Sequence, residues 1–351
     1  MLEILTQQLA ENQSLTDAQV AHAVQDLTNQ NITPQIKAQF LAALARKGET
    51  PAEIAAFALE LRAKALDPPL DKETRSRQIL DVCGTGGDRL NTFNISTTVA
   101  LITAAAGVTV AKHGNRAITS QAGSADVLEA LGLRIDLEPA EAARSLSEHH
   151  FAFFFAPKYH PAYQHIAPAR KLCAERGQRT IFNFLGPLLN PARPAAQLIG
   201  VPQPQLCGPL ARVLQRLGVR RGMVVSGAVP SPGAPAHLDE LSTLGDNCIA
   251  EFYQERGFSI STLSPRDFPV QPAALADLAG GDRRVNAEIV RRLLRGEDRG
   301  PRRDAVLLNC AAALFVAEKA SSLTAGWELA GELVDSGRAM SKLEQLVRAS
   351  S

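Results

Sequence analysis

Three glycines in four positions, Gly84, Gly86 and Gly87, precede Asp88 and directly follow the apolar run Ile79-Leu80-Asp81-Val82-Cys83. A short buried strand ending in such a turn frees the backbone to take positive φ and to approach a ligand closely. Loops of this kind present N–H groups to anions. Just beyond, Asn94-Ile95-Ser96-Thr97 opens a predicted helix, and a helix N-terminus attracts phosphate. The loop is neither a Walker A sequence nor GxGxxG. Taken alone it fits either a phosphate cradle or a bare tight turn, but either way it demands a strand–turn–helix unit.

That unit marks a change of character at Gln78. Residues 1 to about 70 carry helical signals only. Thr16 with Gln19 and Thr50 with Glu53 form capping boxes, and Thr33-Pro34 and Thr50-Pro51 place a cap residue before a first-turn proline. Gly48 ends a helix over Gln35 to Lys47. From Gln78 onward, strands alternate with helices, which implies parallel pairing. Strands are predicted at Val108 to Ala111, Leu133 to Asp136, Phe151 to Ala156, Ala196 to Val201, Gly222 to Ser226, Ile249 to Tyr253 and Phe258 to Leu263. Helices are predicted at Ser96 to Ala106, Ser124 to Leu131, Pro139 to Glu148, His160 to Gly177 with an interruption at Pro168, and Gln205 to Leu217, with three or four more between Asn286 and Arg348. Arg179 to Arg193 reads as loop. The expected fold class is α/β: a small all-helical N-terminal domain, residues 1–72 joined by helices from about 160–192, beside a larger α/β domain, 73–159 and 193–351, with a mostly parallel central sheet.

Composition narrows the function. The chain has 351 residues with 45% hydrophobic and 21% charged, as in ordinary globular enzymes. A net charge of +1 gives no global case for a nucleic-acid partner. No apolar run reaches membrane-spanning length, and the opening MLEILTQQLAENQ is not signal-like. The five cysteines, Cys83, Cys173, Cys207, Cys248 and Cys310, are odd in number and dispersed, which points to a reducing cytoplasm.

Three further segments carry chemistry. Lys112-His113-Gly114-Asn115-Arg116 ends a predicted strand, where ligands bind in open α/β sheets, and its cations and amide suit a polyanion. Thr119, Ser120 and Ser124 add hydroxyls, and Ser124 is a candidate helix cap. The adjacent carboxylates Asp239 and Glu240 suit Mg²⁺ shared with substrate phosphates once a phosphate loop exists elsewhere; alone they read as a solvated loop. The arginine-rich stretch Arg283 to Arg303, interleaved with Glu288, Glu297 and Asp298, reads as a salt-laced surface.

Together these segments resemble the anthranilate phosphoribosyltransferase family. The resemblance rests on the GTGGD loop at Gly84 to Asp88, Asn94 to Thr97, the KHGNR segment running into Gly123 to Gly132, Thr180 to Ala192, and Asp239-Glu240, and it covers essentially the whole chain in order. It implies a nucleoside-phosphorylase-like phosphoribosyltransferase fold and a homodimer formed through the helical domains. It also implies transfer of the phosphoribosyl group of phosphoribosyl pyrophosphate (PRPP) to anthranilate in tryptophan biosynthesis.

Carried over, the resemblance implies that PRPP is held by Gly84, Gly87, Asp88, Thr92, Asn94, Ile95, Ser96, Thr97, Lys112, His113, Gly114, Asn115, Arg116, Ala117, Ile118, Thr119, Ser120 and Ser124. Mg²⁺ falls to Ser96, Asp239 and Glu240. Anthranilate falls to Gly84, Asn115 and an arginine in the helix after His160. Arg170 stands nine positions before Arg179, three more than in the family, and is the match counted from His160; Arg176 is the alternative. No covalent protein nucleophile is expected, and Cys83 reads as a buried small residue. The related pyrimidine nucleoside phosphorylases, and relatives that bind nucleic acid, are the competing readings; neither carries this set of motifs.

Overall fold

The computed structural model describes residues 1–117, 121–231, 233, 236–254 and 257–350. The N-terminal unit contains the helices Leu2–Ala10, Asp17–Thr28, Pro34–Lys47 and Pro51–Ala63. Both capping boxes form: Gln19 N donates to Thr16 Oγ1 at 3.3 Å and Glu53 N to Thr50 Oγ1 at 3.2 Å. Thr33 sits at its N-cap without a side-chain bond. Glu53 is buried, yet its carboxyl is held below its usual range. Burial pushes the pKa up, but the N–H groups of Leu15 and Thr50 and the Lys47 ammonium, at 2.8 to 2.9 Å, more than offset that.

Residues of the segment 161–189 share an apolar core with this bundle: Ile166, Ala169, Cys173, Ile181 and Leu185 pack among residues including Phe40, Leu41, Leu44 and Phe57. Lys37 Nζ donates to His165 O at 2.8 Å across that junction. The segment begins as a 3-10 turn, Pro161–His165, before the helix Ala167–Glu175. The stretch expected as loop, 179–193, contains a short helix at Phe182–Leu185 and a 3-10 turn at Gly186–Leu188.

The sheet strands are β1 Leu80–Gly84, β2 Val110–Gly114, β3 Phe151–Phe155, β4 Ala196–Gly200, β5 Arg221–Val229, β6 Ala236–Leu238, β7 Asn247–Tyr253 and β8 Gly257–Leu263. Their order is β3-β2-β1-β4-β5-β7-β8, with β6 beside β5. The strands from β3 to β5 pair in parallel, and β6, β7 and β8 pair antiparallel. Period-2 alternation distributes the strand side chains between two cores. Val82, Leu198 and Val225 face one core with the helices Ile95–Ala105 and Pro301–Val316; Cys83, Ile199 and Val224 face the other with Cys207–Arg216 and the helical bundle. Each fully buried Val, Leu or Ile contributes roughly 1.5–3 kcal/mol of hydrophobic stabilisation.

Leu133 to Asp136 is not a strand. Leu133 and Ile135 are buried and Arg134 and Asp136 exposed, so the alternation is real, but among the described residues the segment pairs with no strand. It follows the left-handed cap Gly132 and serves as a buried crossing. Among the described residues no helix is long and apolar enough to cross a membrane. All five cysteines are free.

The chain runs β1, β2, β3 in one direction across the sheet, then returns so that β4 lies on the other side of β1. The order reverses between β1 and β4. Ligands of open α/β sheets sit outside the carboxyl ends of the strands at such a point, and here those ends are Gly84 and Gly200, paired in register.

Candidate active site

Gly84 and Gly200 lack side chains because something else occupies the space. A Cβ on Gly84 would lie 2.0 Å from Asp239 Oδ2, and one on Gly200 would lie 1.6 Å from the Asp239 carbonyl oxygen. Gly86 and Gly87 are glycine for a different reason: their φ angles are +75° and +93°, and a Cβ there would meet nothing within 4 Å. The turned loop aims the Gly86 N–H at Asp239 Oδ2, 2.7 Å away.

The helix Ile95–Ala105 begins at Asn94, whose side chain makes no cap bond. Asn94 Nδ2 donates to Ala122 O at 3.3 Å, and Asn286 Nδ2 donates to Asn94 Oδ1 at 2.9 Å. One orphan amide of the first turn, Ser96 N, donates to Glu240 Oε1 at 3.2 Å. Thr97 Oγ1 is buried without a partner among the described residues. Thr92 makes an isolated antiparallel bridge with Ala279.

Lys112 on β2 is buried, donating to Val82 O at 2.7 Å and to Ser96 Oγ at 3.3 Å. Burial lowers its pKa, while Cys83, Asp81 and Glu240 pull the other way. His113 meets His160 Nε2 to Nε2 at 3.2 Å, its own Nδ1 3.2 Å from Gly186 O. Desolvation pushes both imidazoles down, to about 3 and about 4, so the pair is neutral at pH 7. Asp81 ties this end of the sheet together: it accepts from His113 N at 3.3 Å and Asn190 Nδ2 at 2.9 Å, and Asn190 Nδ2 also donates to Ala111 O at 2.7 Å.

After β2, Asn115 O accepts from Ala125 N at 3.2 Å and from Ser124 Oγ at 3.4 Å. Ser124, expected as the helix cap, is the first helical residue, and Gly123 holds the N-cap position. Asp126 closes the loop, accepting from Ala117 N at 2.9 Å and Gly123 N at 3.0 Å. Arg116 turns its guanidinium to Asp126 and Glu129 at 2.9 and 3.0 Å. Ile118, Thr119 and Ser120 lie outside the described residues.

Asp88, Asp239 and Glu240 bring like charges together. Desolvation, then Asp88, raises Asp239 to about 7; desolvation, then Asp239, raises Glu240 well above the ordinary carboxylate range. Cys83 is buried and its thiol is pushed well up by burial.

The expected residues that the structure describes, from Gly84 to Ser124 with Arg170, Asp239 and Glu240, all line one cleft of about 1200 Å³. Arg170, on the helix Ala167–Glu175, lines the cleft with its guanidinium over the Phe182 ring at 5.1 Å; Arg176 is exposed past the end of that helix and does not line the cleft. Sequence reasoning missed Asp81, Asn190, His160 and Gly200 as supports, because each acts through a partner distant in sequence; it also missed Asp126, whose partners Gly123 and Ala117 are local and whose place at N3 of its helix was the available signal. The arginines between 283 and 303 are spent largely on internal pairs: Arg283 with Glu129, Arg291 with Glu288, and Arg303 with Asp335.

A helical bundle beside an α/β sheet, with a glycine loop, a buried lysine and paired carboxylates at the switch point, defines a two-domain glycosyltransferase. The helical bundle domain of the Glycosyl transferase family matches residues 4–65 and its a/b domain matches 76–340. The anthranilate phosphoribosyltransferase of Roseiflexus castenholzii is 45% identical, covering 98% of this chain and 97% of that protein. That of Chloroflexus aggregans is 44% identical over 96% and 94%. The crystal structure of the Thermus thermophilus enzyme superposes with a TM-score of 0.87 at 41% identity, covering 98% of each chain. The Saccharomyces cerevisiae enzyme, solved in complex with PRPP and Mg, shares the fold at 24% identity, with a TM-score of 0.85 over 99% and 97% of the two chains. The chain belongs to the anthranilate phosphoribosyltransferase family.

Proposed function

We propose that this chain transfers the 5-phosphoribosyl group of PRPP to the amine of anthranilate, in tryptophan biosynthesis. The C1–N bond forms, the bond from C1 to the pyrophosphate oxygen breaks, and the amine proton leaves with solvent or pyrophosphate. The observation that carries this reading is the convergence of the glycine loop, Lys112, Asp239-Glu240 and Arg170 in one cleft.

The glycine loop and the first turn of Ile95–Ala105 supply preorganised N–H donors for phosphate oxygens. Lys112, held in place by Val82 O and Ser96 Oγ, puts a fixed positive charge where the leaving group gains negative charge. Thr97 Oγ1 is a spare donor in the same wall. The Arg170 guanidinium, stacked on Phe182, suits the anthranilate carboxylate, with Gly84 and Asn115 at the other end of that substrate. The aromatic amine is already neutral at pH 7, so no strong base is required.

The crowding of Asp88, Asp239 and Glu240 in a desolvated wall supports a divalent cation there. Mg²⁺ is an ion that takes few protein ligands and shares substrate phosphates, which an adjacent carboxylate pair beside a phosphate loop suits. Ser96, Asp239 and Glu240 would hold it, and when bound it neutralises charge on the leaving pyrophosphate.

The helical unit of 1–72 and the segment of about 160–192 form one domain in this reading, and 73–159 with 193–351 the other. The packing of Ile166, Ala169 and Cys173 with the N-terminal helices supports grouping the two helical segments, and the same core continues into Cys83, Ile199 and the helix Cys207–Arg216 of the other domain. A homodimer through the helical domains and a cytoplasmic location complete the proposal. Mixing protein with anthranilate, PRPP and Mg²⁺ tests the reaction through loss of anthranilate fluorescence; pyrophosphate must appear in equal amount.

A further inference from the structure

Among the described residues five arginines and lysines line the cleft: Arg89, Lys112, Arg116, Arg170 and Arg179. Four are engaged. Lys112 donates to Val82 O and Ser96 Oγ, Arg116 is bound to Asp126 and Glu129, Arg170 is stacked on Phe182 at 5.1 Å, and Arg179 is paired with Glu49 at 2.8 Å. Arg89 has no hydrogen-bond or ion-pair partner among the described residues, and its side chain is exposed on the cleft wall.

Its backbone is strained. Arg89 has φ +59° and Asn91 φ +52°, so two L-residues within three positions occupy the left-handed region that glycine favours. The strain separates neighbours: Leu90 turns into the core, its N–H donating to Asp88 Oδ1 at 3.2 Å, while Asp88 and Arg89 stay on the cleft. Strained backbone of this kind persists where the surroundings hold it and clusters at ligand clamps.

The charge inventory supplies the reason. Asp88, Asp239 and Glu240 are three carboxylates on the wall that must receive a diphosphate, and the buried cation Lys112 faces Glu240 among them. A highly anionic ligand seated there needs further positive charge from outside the buried wall. We propose that Arg89 is a diphosphate-binding residue that closes on the pyrophosphoryl group of the phosphoribosyl donor from the solvent side, and that the left-handed turn exists to aim it. This rests on the phosphoribosyl transfer proposed above.

The test is calorimetric titration of inorganic pyrophosphate with Mg²⁺ into the wild-type protein and into Arg89→Ala, Arg89→Gly and Arg89→Lys, with KM for both substrates and thermal midpoints measured beside it. Loss of a charge-assisted contact is expected to weaken pyrophosphate binding and raise the KM for PRPP by about ten-fold in the Ala and Gly variants, with Lys between. The KM for anthranilate stays unchanged. Arg89→Gly relieves the left-handed strain, so its thermal midpoint is no lower than that of the wild type, which excludes unfolding as the cause. Pyrophosphate binding to the Ala and Gly variants that equals wild type overturns the assignment and leaves the transferase reading standing. A wild-type protein that binds no pyrophosphate overturns both.

Discussion

Gly84 and Asp239 compete for one space: a Cβ on Gly84 would stand 2.0 Å from Asp239 Oδ2. The end of β1 is bare so that a carboxylate from 155 positions later, following β6, can lie across it. The same carboxylate takes the Gly86 N–H at 2.7 Å, so the glycine loop and the acidic pair are one construction.

Gly84→Ala is therefore expected to displace Asp239 and lower transferase activity by about a hundred-fold, the effect of misplacing a group by about 1 Å. Steady-state kinetics across a Mg²⁺ titration measures it. Activity close to wild type at all Mg²⁺ concentrations would contradict the coupling.

The two candidate acceptor arginines separate cleanly. Arg170→Ala is expected to raise the KM for anthranilate by about ten-fold or more, since a charge-assisted pair is lost. Arg176→Ala, at a position outside the cleft, leaves it unchanged. The opposite pattern would move the acceptor site to Arg176.

Lys112→Met is expected to lower the transfer rate by about 10²–10³-fold, in line with loss of one preorganised electrostatic group. Far-UV circular dichroism should show the fold retained. A variant that keeps more than a tenth of the activity would remove Lys112 from the proposed chemistry.

Much of this site is legible in the sequence because local backbone rules govern it. The positive φ of Gly86 and Gly87 and the helix start at Asn94 are local features, and the capping boxes at Thr16 and Thr50 form as read. What the sequence hides is pairing at a distance. The alternation of Leu133 to Asp136 reports burial and says nothing about a partner strand. Strand β6 lies next to a proline-rich loop and exists because Gly227 to Val229 offer it an edge. Asp81, Asn190 and His160 carry no local signal; their roles appear only when strands and the 186–190 turn come together.

Asp81 also sets a pH dependence. It is fully buried, and desolvation raises its pKa from 3.8 to about 6. A carboxyl with a raised folded pKa favours the folded state below its unfolded pKa, and that contribution is lost as pH rises from about 4 through about 6. The change amounts to roughly 3 kcal/mol. Urea unfolding of wild type and Asp81→Asn at pH 4.5 and pH 7 measures it. The wild type should lose stability relative to the variant between the two pH values, and a difference that is the same at both would contradict the shift.

The most direct test of the central claim is anthranilate fluorescence in a mixture of protein, anthranilate, PRPP and Mg²⁺. The expected fluorescence decay requires all four components, stops on chelation of the metal, and is accompanied by one pyrophosphate per anthranilate consumed. A folded protein that leaves the fluorescence unchanged, or consumes anthranilate without PRPP, would contradict it.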